Sequence, residues 1–412
     1  LLYAKRIIEE VYQNRICETS LGKVVTKADC IYGDSVTSDT PIFLKHIETG
    51  KICFKQIDNI GQEWFPYEGF KVGENGRFSK EQCMIGEYEV WTSKGWARIR
   101  RLIRHKTNKK LYRITTHTGM VDVTEDHSLL DQNHVIIKPK DAKIGTHLLH
   151  HYPLFEKKYI SLKNILNYIE TFGNQSIEEK KAFIYGFFYG DGSCGKYNCP
   201  SGLKYSWALN NKDIELCVIL QSLLEEIYGH PFNILDTVES SGVYKVVPIG
   251  IIKKHVEEYR PLFYNKDRYK KVPDEILNAP YNVRYAYFAG YYAADGNKCL
   301  TQKTKNIGMS NKGKIGSVGL FYLTKSLGLN VSINTRKDKL NIINFKCSSN
   351  SYRKNPHELK KVEYIRNSYG EYVYDIETET GNFNTGFPLI VKNTDSCFFT
   401  FNLEDLEGNK IR

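Results

Sequence analysis

The chain reads as an all-β domain interrupted by an α/β unit that is built as an internal pseudo-dimer. Three observations predict this. Short alternating apolar runs separated by turn residues fill residues 35–150 and return at 351–393, the period-two signature of strands. Between them, residues 151–350 mix helical and strand patterns. Within that middle, Ile184-Tyr185-Gly186-Phe187-Phe188-Tyr189-Gly190-Asp191-Gly192 recurs as Phe288-Ala289-Gly290-Tyr291-Tyr292-Ala293-Ala294-Asp295-Gly296, with Gly, Asp and Gly in register, the mark of a duplicated structural unit.

The elements follow in order. Residues 1–34 hold an amphipathic helical pattern at 4–12 and a short strand, Val24-Val25-Thr26. Strands are expected at Ile42-Phe43-Leu44, Tyr88-Glu89-Val90-Trp91 and Leu111-Tyr112-Arg113-Ile114-Thr115, and again at 372–376 and 388–391. Each repeat carries a second echo. Leu209-Asn210-Asn211-Lys212 precedes a helical run ending near Leu224, and Met309-Ser310-Asn311-Lys312 precedes one ending near Leu329. Strands at 243–247 and 340–345 complete the two units.

With 412 residues and 41% hydrophobic content the chain can build two or three cores. It has no run of about 18 apolar residues, so no membrane-spanning helix is expected. There is no secretion signal, and the helical pattern at the very start reads as the interior of something longer. The ten cysteines lack metal-type spacing except Cys194 and Cys199, which have no second ligand pair. Free thiols in a reducing, intracellular compartment are expected. The net charge is +11 and uneven: positions 298, 303, 305, 312, 314, 325, 336, 337, 339 and 346 are Lys or Arg, against the single acid Asp338. That density suits a phosphate backbone.

The repeat has its own physics. Gly186 and Gly190 lie four apart on one helical face, as do Gly290 and Ala294, so two helix backbones can approach closely. Their C-terminal ends, with Asp191 and Asp295, then meet, and Gly192 and Gly296 suit helix ends. Paired carboxylates there repel each other and the helix dipole. A divalent cation resolves this, and oxygen ligands favour Mg²⁺. Both copies resemble the LAGLIDADG homing-endonuclease motif. The resemblance implies metal-assisted hydrolysis of double-stranded DNA by a monomer, with Asp191 and Asp295 as catalytic metal ligands. It also implies saddle-like sheets that each take one half-site, and a lysine near the metals, Lys253 or Lys254.

Removing residues 35–393, a span of 359 (393 − 34), joins Tyr32-Gly33-Asp34 to Thr394-Asp395-Ser396. The joined sequence resembles the metal-binding loop of a family B DNA polymerase. Residues 1–34 and 394–412 would then be palm fragments. Asp34 and Asp395 would hold Mg²⁺ for nucleotidyl transfer once the insert no longer separates them. The insert itself opens on Ser35, has Asp39-Thr40 at its fifth and sixth positions, and contains Thr124-Glu125-Asp126-His127. It then has Val373-Tyr374-Asp375-Ile376 ahead of Asn382-Phe383, and ends on Asn393 before Thr394. This ordered set resembles an intein.

That resemblance implies a Hint (Hedgehog/intein) splicing domain from 35–150 and 351–393, around a LAGLIDADG domain at 151–350. Ser35 would be the first nucleophile and Thr394 the second. Thr124 and His127 would activate the upstream amide, Asp375 would support the second attack, and Asn393 would cyclise; no cofactor is needed. The family's usual histidines beside the terminal Asn and before Asn-Phe are replaced by Lys392 and Gly381, so a slow downstream step is expected. The alternative reading is a splicing-impaired precursor that acts mainly as a DNA endonuclease.

Overall fold

The computed structural model describes residues 16–19, 22–29, 35–67, 80–156, 168, 174–296, 307–335, 342–348, 352, 354–365, 370–393 and 398–404. The helical pattern at 4–12, and Asp34, Thr394 and Asp395, lie outside them.

Among the described residues the largest sheet has 11 strands. Its central run is Leu359–Ile365, Leu111–Thr116, Met120–Thr124, Val36–Thr37, Tyr372–Thr378 and Gly95–Lys106. Every pairing in this run is antiparallel. Strands from both ends of the predicted β zones therefore interleave. The two-residue strand Val36–Thr37 sits between Met120–Thr124 and Tyr372–Thr378. Val36, Thr37 and all of Met120–Thr124 are buried, so this part of the ladder is sealed from solvent on both faces. A smaller sheet pairs Leu129–Leu130 with Ile390–Lys392, which in turn pairs with Asn382–Asn384. In the flanks, Gly22–Asp29 pairs antiparallel with Phe398–Glu404 across the whole intervening chain.

The middle unit contains the two expected repeats. Helix Ile177–Asp191 leads into a sheet of order Gly192–Cys199, Gly202–Asn211, Val243–Pro248, Phe232–Thr237. Helix Tyr281–Asp295 leads to a sheet of order Ile307–Lys312, Ile342–Ser348, Asn330–Thr335. The first helix starts on a capping box: Ser176 Oγ accepts from Glu179 N, and the Glu179 side chain accepts from Ser176 N. Both helices are apolar on most sides because each is buried between its partner and its own sheet.

The two parts are not separate cores. Phe43, Phe54, Met120 and Phe387 from the β part share one buried cluster with Phe321, Tyr322 and the repeat helices. A second cluster, with Val36, Val123, Tyr374 and Val391, belongs to the β part alone.

Candidate functional site

Two constellations stand out. The first surrounds Ser35. Ser35 N donates to Thr124 Oγ1 at 3.1 Å, and Thr124 N donates to Ser35 O at 3.0 Å. The ladder register explains the pairing: Val36 lies opposite Val123 on one side and opposite Tyr374 on the other. One step along, Ser35 faces Thr124 across one seam and Asp375 across the other. These three residues thus form a row across adjacent strands, all at least 96% buried. His127 follows directly: its N–H donates to Thr124 O at 3.0 Å, closing a turn that returns the chain toward the small sheet, and its side chain is fully buried.

Asn393 reaches the same region from the other end of the chain. Leu129 pairs with Val391, Lys392 N donates to Ser128 O at 3.1 Å, and Asn393 N donates to Gly381 O at 3.0 Å. Asn393 is 2% exposed. Gly381 has φ +73°, a left-handed backbone that suits glycine and strains a histidine. The Asp375 carboxylate accepts from Ile376 N at 2.8 Å.

The second constellation is the paired helix ends. The helices run side by side in the same direction. A Cβ on Gly186 would lie 1.9 Å from Tyr287 O, and one on Gly290 would lie 2.0 Å from Phe183 O. At the next level, a Cβ on Gly190 would lie 2.7 Å from Ala294 Cβ and 3.3 Å from Asp295 Cβ. Asp191 and Asp295 are thereby brought together. Asn211, from the first Asn-Lys echo, donates to Asp191 Oδ2 at 3.3 Å, and its neighbour Asn210 donates to Asp191 O at 2.7 Å. Burial raises the Asp295 carboxyl, with Lys270 opposing it.

The structure corrects several expectations here. Gly192 and Gly296 do stand at the helix C-caps, but with φ values of −80° and −63°, from which the chain passes on extended. Glycine is needed instead for closeness, because a Cβ would come within 2.5 Å of Phe188 O and 2.3 Å of Tyr292 O. Lys253 and Lys254 are exposed on helix Ile252–Phe263, and Lys253 pairs with Glu257 at 3.7 Å. The lysine at the helix ends is Lys270. Its Nζ donates to the carbonyls of Phe188, Tyr189, Gly190 and Gly192 at 2.8, 3.0, 3.1 and 2.7 Å. Burial pulls its amine down to about 8, while Asp295 and then Asp191 favour its charged form. It has no motif around it, so only its density of nearby helix ends in space reveals it.

Cys194 and Cys199 lie five apart along one strand, and burial pushes the Cys194 thiol up to about 11, against metal-type thiolate behaviour. Among the described residues, no group of three or more His, Cys, Asp or Glu could hold a metal ion. Of the basic run, Lys346 lines an open groove of ≈ 690 Å³ with Asp295, His117, Asn334, Asn344 and Lys360. Lys314 does not face it; the side chain is turned inward to Asp39 and Asp122.

No family model matches the chain. It is 45% identical over 421 residues to a DNA polymerase of Acanthamoeba polyphaga mimivirus, an alignment covering 100% of this chain and 22% of that protein. The chain spans between 22% and 25% of the length of the first curated relatives it matches, all DNA polymerases. Among solved structures it is similar to I-DmoI in complex with DNA and Mn (16% identity, TM-score 0.32, 42% of this chain, 91% of that one). It is also similar to an intein from a hyperthermophile (13% identity, TM-score 0.23, 29% of this chain, 73% of that one). In sequence, the chain resembles a segment of these polymerases.

Proposed function

We propose that residues 35–393 are a self-splicing insert carrying a site-specific DNA endonuclease, within a DNA polymerase. The observation that carries the splicing reading is the row Thr124–Ser35–Asp375, closed by Asn393 arriving through the Leu129–Val391 pair. Residues 35 and 393 are remote in sequence, and two sheets joined through the Thr124–Leu129 segment, one carrying Ser35 and the other leading to Asn393, suit a reaction joining the two junctions.

The chemistry follows from these atoms. Ser35 Oγ gives up its proton and attacks the Asp34 carbonyl carbon; the Asp34–Ser35 C–N bond breaks and the nitrogen is protonated. Thr124 Oγ1, already accepting from Ser35 N, holds that amide in place, and His127 is suited to deliver the proton. Thr394 Oγ then attacks the ester, with Asp375 as its activating group, and Ser35 Oγ leaves with a proton. Asn393 Nδ2 attacks its own carbonyl carbon and releases the Thr394 amine, leaving a succinimide. That amine attacks the ester carbon, which forms the Asp34–Thr394 peptide and frees the Thr394 hydroxyl.

The test is mass spectrometry of the chain expressed with longer flanks. A 359-residue product (393 − 34) that vanishes in Ser35→Ala is expected. Intact precursor in both proteins would rule splicing out.

For the endonuclease, the fit to a divalent ion rests on the two carboxylates at the helix ends, of which Asp295 is exposed and open to a ligand yet has its carboxyl raised by partial desolvation, which a cation would relieve. Asp191 and Asp295 would hold it, and phosphate oxygens of the substrate would complete the shell. A bound divalent ion would supply water activation and leaving-oxygen stabilisation. Lys270 pins the first helix end to its place, Asn211 orients Asp191, and the groove bearing Lys346 and Lys360 receives the duplex. Asp191→Asn should abolish cleavage of DNA spanning the insert-free polymerase site while binding persists; a variant that cuts normally overturns the assignment. Gly381 and Lys392 in place of histidines favour a second reading, a precursor whose downstream step is slow and whose main activity is on DNA. Stable full-length chain that cleaves DNA is its signature.

A further inference from the structure

Lys314 is the first residue of helix Lys314–Ser326 in the second repeat. A cation at that end meets the positive pole of the helix dipole, an unfavourable place. Its ammonium is nevertheless buried and leaves its own unit for the β sheet. Nζ lies 2.6 Å from Asp39 Oδ1 and 2.7 Å from Asp122 Oδ2, and donates to Thr37 Oγ1 at 3.2 Å. Asp122 is fully buried, and Arg113 grips both its oxygens at 2.7 Å. Burial alone would raise the Asp122 carboxyl; Lys314 and Arg113 outweigh it and hold the group well below the usual carboxylate range.

The position of this cluster is what gives it meaning. With Val36 opposite Val123, Thr37 lies opposite Asp122, and Ser35 opposite Thr124. Alternate residues of a strand share a face, so the Thr37–Asp122 rung is the next one along from the Ser35–Thr124 rung, on the same side. The separation is about 7 Å along the strand. The helix that carries Lys314 is also held against the turn before the downstream junction: a Cβ on Gly386 would meet Val318 Cγ1 at 2.8 Å.

We propose that Lys314 is a positioning residue for the upstream junction: the inserted α/β unit supplies the cation that fixes the Thr37–Asp122 rung, and so sets the Thr124 hydroxyl on the Ser35 amide. The inference rests on the splicing reading. The α/β unit is then a working part of the splicing site, and its basic face is one charge poorer than the sequence implies.

The experiment uses the full chain with its flanks as wild type, Lys314→Met, Lys314→Arg and Asp39→Asn. Ester formation at Asp34–Ser35 is read by hydroxylamine release of the upstream segment. Downstream cleavage at Asn393–Thr394 is read by mass in a Ser35→Ala background, and thermal melting is followed throughout. Lys314→Met should slow the upstream step at least about tenfold, the scale of a misplaced reacting group, and leave downstream cleavage within about twofold. Lys314→Arg should recover most of the rate. Asp39→Asn keeps the lysine and helix intact and should slow the same step less, so the inference stands even if Lys314→Met folds poorly. Wild-type ester formation in both Lys314→Met and Asp39→Asn overturns it, as does equal slowing of both junctions in step with a lower Tm. If the wild type itself releases no upstream segment, the splicing reading fails, which the first arm shows separately.

Discussion

At the level of single residues, the informative side chains are those whose partners lie far off in sequence. Lys270 satisfies four carbonyl oxygens at the end of helix Ile177–Asp191. Lys270→Met should cost about 2–4 kcal/mol in urea unfolding, since buried acceptors lose a charged donor, and should remove DNA cleavage. Gly381 gives a contrary expectation. Motif logic says that a histidine there would speed Asn393 cyclisation, but φ +73° makes Gly381→His strained by about 1 kcal/mol or more. It should not accelerate downstream cleavage, which a time course by mass would check. Ser35, Thr124, His127, Asp375, Asn393, Asp191 and Asp295 were legible because their types sit in ordered motifs. Lys270 and Lys314 were not, because a lysine outside a motif carries no mark of where its ammonium will end up.

Among the elements, the strands followed their alternation closely: Pro41–His46, Tyr88–Thr92, Leu111–Thr116 and Tyr372–Thr378 each contain the run that predicts them. The 388–391 pattern yields only Ile390–Lys392, because the preceding residues turn about Asn384, whose amide donates to Phe387 O at 2.6 Å. The repeat helices were legible as a pair from their small residues. Their closeness sets the next expectation. Gly290→Ala places a methyl against backbone that cannot move aside, and should cost about 3 kcal/mol or more. Gly190→Ala meets mainly another methyl, at 2.7 Å, and should cost distinctly less. Paired thermal melts of the two variants check the order; equal losses would mean that the interface relaxes.

Over the whole molecule, pattern reading separates a β part from an α/β part, while the structure fuses them through Phe43, Phe54, Met120 and Phe387. Sequence periodicity reports which residues are buried but not against what, so the seam was invisible. A single calorimetric transition is expected rather than two. Acid should weaken the fold. Burial, aided by Lys80 and Lys109, holds the His105 imidazole down to about 3; burial, with His230 and then Lys254, holds His255 to about 4. Both folded values lie below the unfolded one near 6.5, so the unfolded chain binds more protons in that window. Stability is then complete above about pH 6.5 and falls as pH drops toward 4. Urea midpoints at pH 7 and 5 should show the fall, and His255→Phe should reduce it.

Strand Val36–Thr37 also has a place in time. Its first neighbour, Met120–Thr124, leaves the ribosome soon after it, but its second, Val373, is made 336 residues later (373 − 37). At about 5–20 residues per second that interval is roughly 20–70 s. Through it the nascent chain must keep one edge of a buried ladder unpaired while the entire α/β unit is synthesised. The Ser35 row lacks Asp375 until synthesis has nearly reached the far junction, so on the splicing proposal the group assigned to the second attack comes into place only as that junction is made.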